Sequence, residues 1–309
     1  MLAIFLKTLP FFTLIGLGYL AARSKFFSEE ATAYLTKFVF YFALSAMLFR
    51  FAANLSFADL FNLNFMLAYL WGTGVVYLIA TGIAFLRGLS TAEAAVEAQV
   101  AVIGNIGFLG IPMLALLLGD AAIGYIMLML AVDLIVFGSL IVILIVGSRD
   151  GRVSPAILKT VGLGLIKNPM IVSISLGLIW SVMRLPIPAP ANEFLAMLGG
   201  AATPCALFAI GASLASKSAE RVSVALYLSG CKLFLHPAAV ALGGLVIFPV
   251  DPYAAGVMIA AAALPVAGNV FMVAQHYGVA PTRVSASILV STLISIITVS
   301  VVIGWVSTF

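Results

Sequence analysis

Hydrophobic residues run along this chain in blocks of about 20, the length a helix needs to cross a bilayer, and polar residues gather in the short gaps between blocks. Ten blocks can be bounded by charges, Gly/Pro or Asn/Asp: 2–22, 33–52, 65–86, 93–118, 121–146, 156–183, 191–216, 222–247, 252–275 and 281–307. Continuous apolar runs predict helices, because a helix satisfies its own backbone in lipid, whereas a closed barrel shows short segments of alternating polarity. The expected fold class is therefore all-α, a polytopic membrane protein with ten transmembrane helices. Within 156–183, a surface helix is expected up to Lys167, with the crossing proper starting at Asn168-Pro169.

Sliding the chain by 159 residues lays blocks one to five over blocks six to ten, with the gap 23–32 over 182–191. The correspondence is one of spacing and not of residue identity. It predicts two five-helix repeats, at 1–148 and 156–309, joined by a cytoplasmic linker at 149–155. Because five is odd, the second repeat enters the membrane inverted, a plan shared by many secondary transporters.

Composition narrows the picture further. Of 309 residues 64% are hydrophobic and 8% charged, too little charge to cover a water-facing domain. The net charge of +4 comes from basic residues scattered through the gaps, not clustered on a face, so no nucleic-acid partner is implied. Alternating the sides places Arg23, Lys25, Lys37, Arg87, Arg149, Arg152, Lys159, Lys217, Arg221 and Arg283 on one face, against Arg50 and Arg184 on the other. By the positive-inside rule the first face is cytoplasmic and both termini are extracytoplasmic. The N-terminal block reads as a retained first span. Cys205 and Cys231 lie inside apolar blocks without the spacing of a disulfide framework or a zinc site.

The fourth block carries Gly104-Asn105-Ile106-Gly107-Phe108-Leu109-Gly110-Ile111-Pro112 at its middle. Proline removes a backbone donor and glycines weaken the helix, so this span should break there. Freed backbone groups at mid-membrane are tolerable only against protein or a water-filled cavity. The ninth block, its partner in the second repeat, has Pro265, Gly268 and Asn269 at mid-span. Two interrupted helices at matching positions point to a binding site. Half-helix N-termini there favour an anion, and Asn105 and Asn269 can donate or accept. The alternative is that Pro and Gly only kink the helices for packing while Asn bonds across them.

Asp133, inside the fifth block, could carry a proton, bind a cation, or pair with a lysine of a neighbouring helix. Lys232 and His236, one helical turn apart on the eighth, could attract an anion or exchange a proton. Snorkelling of Lys232 and a satisfied His236 are the competing reading. Glu97 is expected to mark the interface, and His276 to be solvated. Gly16, Gly18, Gly199-Gly200 and Gly243-Gly244 fit close helix packing. No Walker loop, GxSxG elbow, His-rich metal spacing or paired carboxylates are present, so an enzyme, a catalytic residue, a metal site and a nucleotide-driven pump are not expected.

The segments GNIGFLGIPML and AALPVAGNVFMVAQHYG, with Lys167-Asn168-Pro169, make the chain resemble the auxin efflux carrier family, which includes plant auxin exporters and bacterial dicarboxylate or malonate transporters. The resemblance covers essentially the whole chain. It implies an elevator-type fold akin to the bile-acid symporter superfamily, with spans 1, 2, 6 and 7 as scaffold and spans 3–5 and 8–10 as the moving unit. Broken spans four and nine would then cross at a substrate site formed by Asn105, Gly107, Gly110, Pro112, Pro265 and Asn269. The plant exporters carry a second proline near the position of Val270 and a long central loop, both missing here, which favours a bacterial organic-anion carrier over an auxin exporter. The resulting expectation is a plasma-membrane (bacterial inner-membrane) secondary carrier of a small carboxylate or dicarboxylate. It would have no cofactor, coupling to H+ or Na+ through Asp133, Lys232 and His236, and a homodimeric scaffold. A sodium-coupled importer like the bile-acid symporters and a non-transporting membrane receptor are the alternatives.

Overall fold

The computed structural model describes residues 2–55, 62–150, 155–215 and 222–309, and within these it is all-helical, without a strand. Most of the 149–155 linker, Arg152, Lys217 and Arg221 lie outside the described residues. The first half holds α1 (Leu2–Arg23), α2 (Glu29–Ala53), α3 (Leu63–Leu86), α4 (Thr91–Val102), α5 (Ile106–Leu118) and α6 (Ala122–Arg149). The second holds α7 (Pro155–Lys167), α8 (Pro169–Val182), α9 (Ala189–Ala215), α10 (Val222–Ile247), α11 (Pro252–Ala262), α12 (Gly268–Tyr277) and α13 (Pro281–Val306).

Seven of these helices, α1, α2, α3, α6, α9, α10 and α13, are long and apolar enough to cross a membrane alone, and eight if the bent pair α7–α8 makes one crossing. That pair bends by 67° at Asn168, where the sequence places the boundary between surface helix and span. The blocks 93–118 and 252–275 are each divided, the first into α4 and α5 and the second into α11 and α12. Large apolar side chains such as Leu78, Phe234, Val246, Leu293 and Ile297 stand exposed on the outside, a surface that only lipid would cover.

Short polar signals start the helices. Ser28, Asn62 and Asp251 each accept a hydrogen bond from a first-turn amide of α2, α3 and α11. Ser90 and Glu93 form a reciprocal capping box on α4. Asn168 receives the amides of Met170 and Ile171, with Pro169 at the first helical position where its missing donor costs nothing.

Most of the packing falls into two groups, which also meet where α1 touches α13 and the Thr8 hydroxyl bonds that of Ser300. In one, α1 lies along α9, and α2 lies against α8 and α9. In the other, α3 packs on α4 and α10, α10 on α11 and α13, α4 on α6, and α11 on α6 and α13. Small residues set the closest approaches: an added Cβ at Gly18 would fall 2.0 Å from the Phe208 carbonyl oxygen, and one at Gly211 would fall 1.8 Å from that of Ile15. Gly199 and Gly243 are likewise pressed against Met47 and Ala68, and Gly244 against the Met258 side chain. Gly16 and Gly200, expected to serve the same purpose, face open space instead.

Candidate functional site

The two breaks meet. Asn105 N–H donates to the Pro265 carbonyl at 2.8 Å, and Ala267 N–H donates to the Ile103 carbonyl at 3.1 Å, so Gly104 and Val266 pair as an isolated antiparallel bridge. Each interrupted segment thereby satisfies backbone groups freed by the other. Val266 N–H is taken by the Ser291 hydroxyl of α13. On the α5 side, the Asn105 carbonyl accepts from Leu109 and Gly110 through a wide π-type turn at Ile106–Gly110. Neither α5 nor α12 has a side-chain cap, in contrast to α2, α3, α4, α8 and α11. First-turn amides without intrahelical partners therefore remain at both half-helix N-termini, which carry partial positive charge.

A cavity of about 1870 Å³ opens onto this crossing. Gln99, Asn105, Gly107 and Asp133 line it from the first half, Gly268 and Asn269 from the second, and Lys167, Asn168 and Met170 from across. Arg23, Lys25, Lys37 and His276 lie along the same wall system, with Glu29 and Asp133 as the acids among the described lining residues. Four buried acceptors on this cavity, Gln99 Oε1, Asn105 Oδ1, Asp133 Oδ2 and Asn269 Oδ1, have no hydrogen-bond partner among the described residues. Buried polar atoms are seldom left so, and several on one cavity mark a place where a ligand or water completes them.

The residues singled out in the sequence divide by role. Asn105, Gly107 and Asn269 line the cavity, whereas Gly110, Pro112 and Pro265 do not and instead shape the breaks. Gly110 leaves room for the Leu264 side chain, Pro112 sits in the first turn of the regular part of α5, and Pro265 supplies the carbonyl that Asn105 binds. Asp133 begins a π-type turn in α6, lines the cavity, and accepts the Tyr69 hydroxyl at 2.7 Å; no ion pair joins it to a lysine among the described residues. Lys232 does not snorkel. It is fully buried in a π-type turn of α10, donating to the Ala262 carbonyl and approaching His236 Nδ1 at 3.1 Å, while His236 Nε2 lies 3.1 Å from the Thr73 hydroxyl. Lys232 and His236 stand behind the crossing and off the cavity wall.

Two features went unread in the sequence. Gln99, in the last turn of α4 before the break, lines the cavity and leaves its side-chain oxygen buried without a partner among the described residues; a lone amide in an apolar run was the available signal. Glu97 does not mark an interface but is wholly buried, held by Arg87 at 2.6 Å and by Arg283 at 2.8 Å. His276 is exposed, as expected.

The family model for the membrane transport protein family matches residues 3–303. A protein of Rhizobium meliloti (strain 1021) named "Putative malonate transporter" is 33% identical over 302 residues, covering 94% of this chain and 92% of the relative. The "Uncharacterized transporter YfdV" of Escherichia coli (strain K12) is 27% identical over 298 residues, covering 94% of this chain and 93% of that one. An all-helical chain with helices of membrane length, two bonded helix breaks and a cavity upon them, matched end to end by a transport family, belongs to the membrane transport protein (auxin efflux carrier) family and is a multi-pass membrane transporter.

Proposed function

We propose that this protein moves a small organic anion, a carboxylate or dicarboxylate of malonate-like size, across the plasma membrane without covalent chemistry. The observation that carries the reading is the pair of uncapped half-helix N-termini, with Asn105 and Asn269 beside them, on one cavity. Such ends attract negative charge, and the amides add neutral hydrogen bonds that fix orientation. Gln99 adds a third amide. The cations Arg23, Lys25, Lys37 and Lys167 along the walls favour entry of an anion. In a relative, malonate stands in the name.

In this reading each divided segment, α4–α5 and α11–α12, makes one crossing, so that ten crossings form two inverted repeats, 1–148 and 156–309, with both termini outside. The cavity mouth, lined by Arg23, Lys25 and Lys37, then faces the cytoplasm. The two packing groups supply a frame of α1, α2, α8 and α9 and a moving body of α3–α6 and α10–α13, which would carry the crossing past the frame as an elevator.

The test is thermal stabilisation of the purified protein by a panel of mono- and dicarboxylates. A ligand at a hundred times its Kd raises stability by about 2.7 kcal/mol. Asn105→Ala and Asn269→Ala should keep their unliganded melting temperatures near that of the parent and lose most of the ligand-induced rise. Folded variants that respond like the parent would remove the amides from the site.

Asp133 makes a second prediction. Its carboxylate faces the same cavity as the anion, and like charges sharing a site of low dielectric repel. The groups around it are Tyr69 of α3, which donates to it, and Lys232 and His236 of α10 behind the crossing. A proton on Asp133 removes the repulsion, so anion-induced stabilisation should strengthen as pH is lowered. Asp133→Asn should bind at least as tightly and lose most of that pH dependence. An unchanged pH profile in the asparagine variant would exclude Asp133 as the proton site.

A further inference from the structure

The crossing has two faces of opposite polarity. Toward the cavity it presents the N-terminal ends of α5 and α12. Behind it lie the C-terminal ends of α4 and α11, which finish at Val102 and Ala262 beside the Gly104–Val266 bridge. Helix C-termini expose carbonyl groups and carry partial negative charge, so two of them brought together in a buried place favour a cation beside them.

Lys232 meets that need. Its Nζ donates to the Ala262 carbonyl, and both Nζ and Cε lie 3.2 Å from where a Cβ on Gly104 would stand, a position itself 3.4 Å from the Ala261 carbonyl oxygen. An alanine at 104 would crowd the ammonium, which would have to give by a few tenths of an ångström. His236 Nδ1, 3.1 Å away, accepts a second hydrogen bond, and with that nitrogen accepting, the ring proton on Nε2 is donated to Thr73. The lysine side chain is wholly buried and off the cavity wall, so it does not face the transported solute. A buried ammonium without a counter-charge in salt-bridge contact among the described residues is costly, and the carbonyl ends are what it is positioned to neutralise.

We infer that Lys232 is a tethered cation that holds the two broken helices together where a dissolved metal cation would otherwise bind, so that the carrier works without sodium. The inference rests on the crossing as the transport site, but its test contains no organic acid and so stands apart from the anion assignment. The purified protein and its Lys232→Ala and Lys232→Met variants are melted in choline chloride and in sodium chloride at equal ionic strength. The parent should melt at the same temperature in both salts. Lys232→Ala should melt lower than the parent in choline and gain roughly 2–4 °C in sodium, as the ion enters the space between the Ala262 carbonyl and His236 Nδ1. Lys232→Met, which fills the space without charge, should melt lower in both salts and gain nothing from sodium. If Lys232→Ala folds only when sodium is present, the inference is equally supported. A sodium-specific rise in the parent would overturn it without any variant, as would a folded Lys232→Ala indifferent to sodium.

Discussion

Glu97→Ala is expected to lower the melting temperature of the protein by an amount of order 10 °C, the consequence of stranding a buried guanidinium. The Glu97 carboxylate is fully buried and divides its oxygens between Arg87 Nη1 at 2.6 Å and Arg283 Nη1 at 2.8 Å. One side chain on α4 thus ties down the C-terminal cap of α3 and the first turn of α13. Removing one partner of a buried pair costs about 3–5 kcal/mol, mainly because the other is left charged and dry. Arg87, with about a third of its side chain exposed, can turn to water; Arg283, 8% exposed, cannot, and among the described residues it keeps only Glu93 at 3.4 Å as an ion-pair partner. The double variant Glu97→Ala/Arg283→Leu should recover a large part of the loss, since both charges are then gone. Glu97→Gln should cost less than Glu97→Ala, because its amide oxygen still accepts from one guanidinium. A Glu97→Ala protein that melts with the parent would mean the network carries no stability.

A second large effect is expected where α1 meets α9. Gly211→Ala places a methyl 1.8 Å from the Ile15 carbonyl oxygen and 2.9 Å from the Tyr19 nitrogen, and Gly18→Ala places one 2.0 Å from the Phe208 carbonyl oxygen. These obstacles are backbone atoms of a helix, which cannot swing aside as a side chain can. The helices must separate by more than an ångström along their whole contact, forfeiting the dispersion contacts that hold helices together where lipid removes any hydrophobic gain. The cost should be about 3 kcal/mol or more, at the upper end for overpacking, read as a loss of melting temperature and of folded yield. Gly16 provides the control two residues away on the same helix. An added Cβ there meets nothing within 4 Å, so Gly16→Ala should be neutral or slightly stabilising, by up to about 1 kcal/mol from helix propensity. Equal effects of Gly16→Ala and Gly18→Ala would show that the α1–α9 contact is not set by backbone approach.

What could be read from the residues alone is what each segment does by itself. Apolar blocks of membrane length become helices because no other form satisfies an isolated backbone in lipid. Ser90 with Glu93, Asn168 with Pro169 and Asp251 with Pro252 start helices by local hydrogen bonding and ring geometry. Pro112 and Pro265, each with nearby glycines, mark the two interruptions because the chemistry of a break is local. What the residues alone could not convey is which face of each helix turns inward. Lipid and protein core are both apolar here, and α3 and α11 are hydrophobic on every side, so no amphipathic stripe records the orientation. Tertiary structure therefore decided that Gly18 and Gly211 interlock while Gly16 stands free, and that Gln99 faces the cavity. It also joined Glu97 to an arginine 186 residues away and set Lys232 behind the crossing. The bonds from Asn105 to Pro265 and from Ala267 to Ile103 belong to the same class: each break is costly alone, and only their meeting satisfies the groups that each one frees.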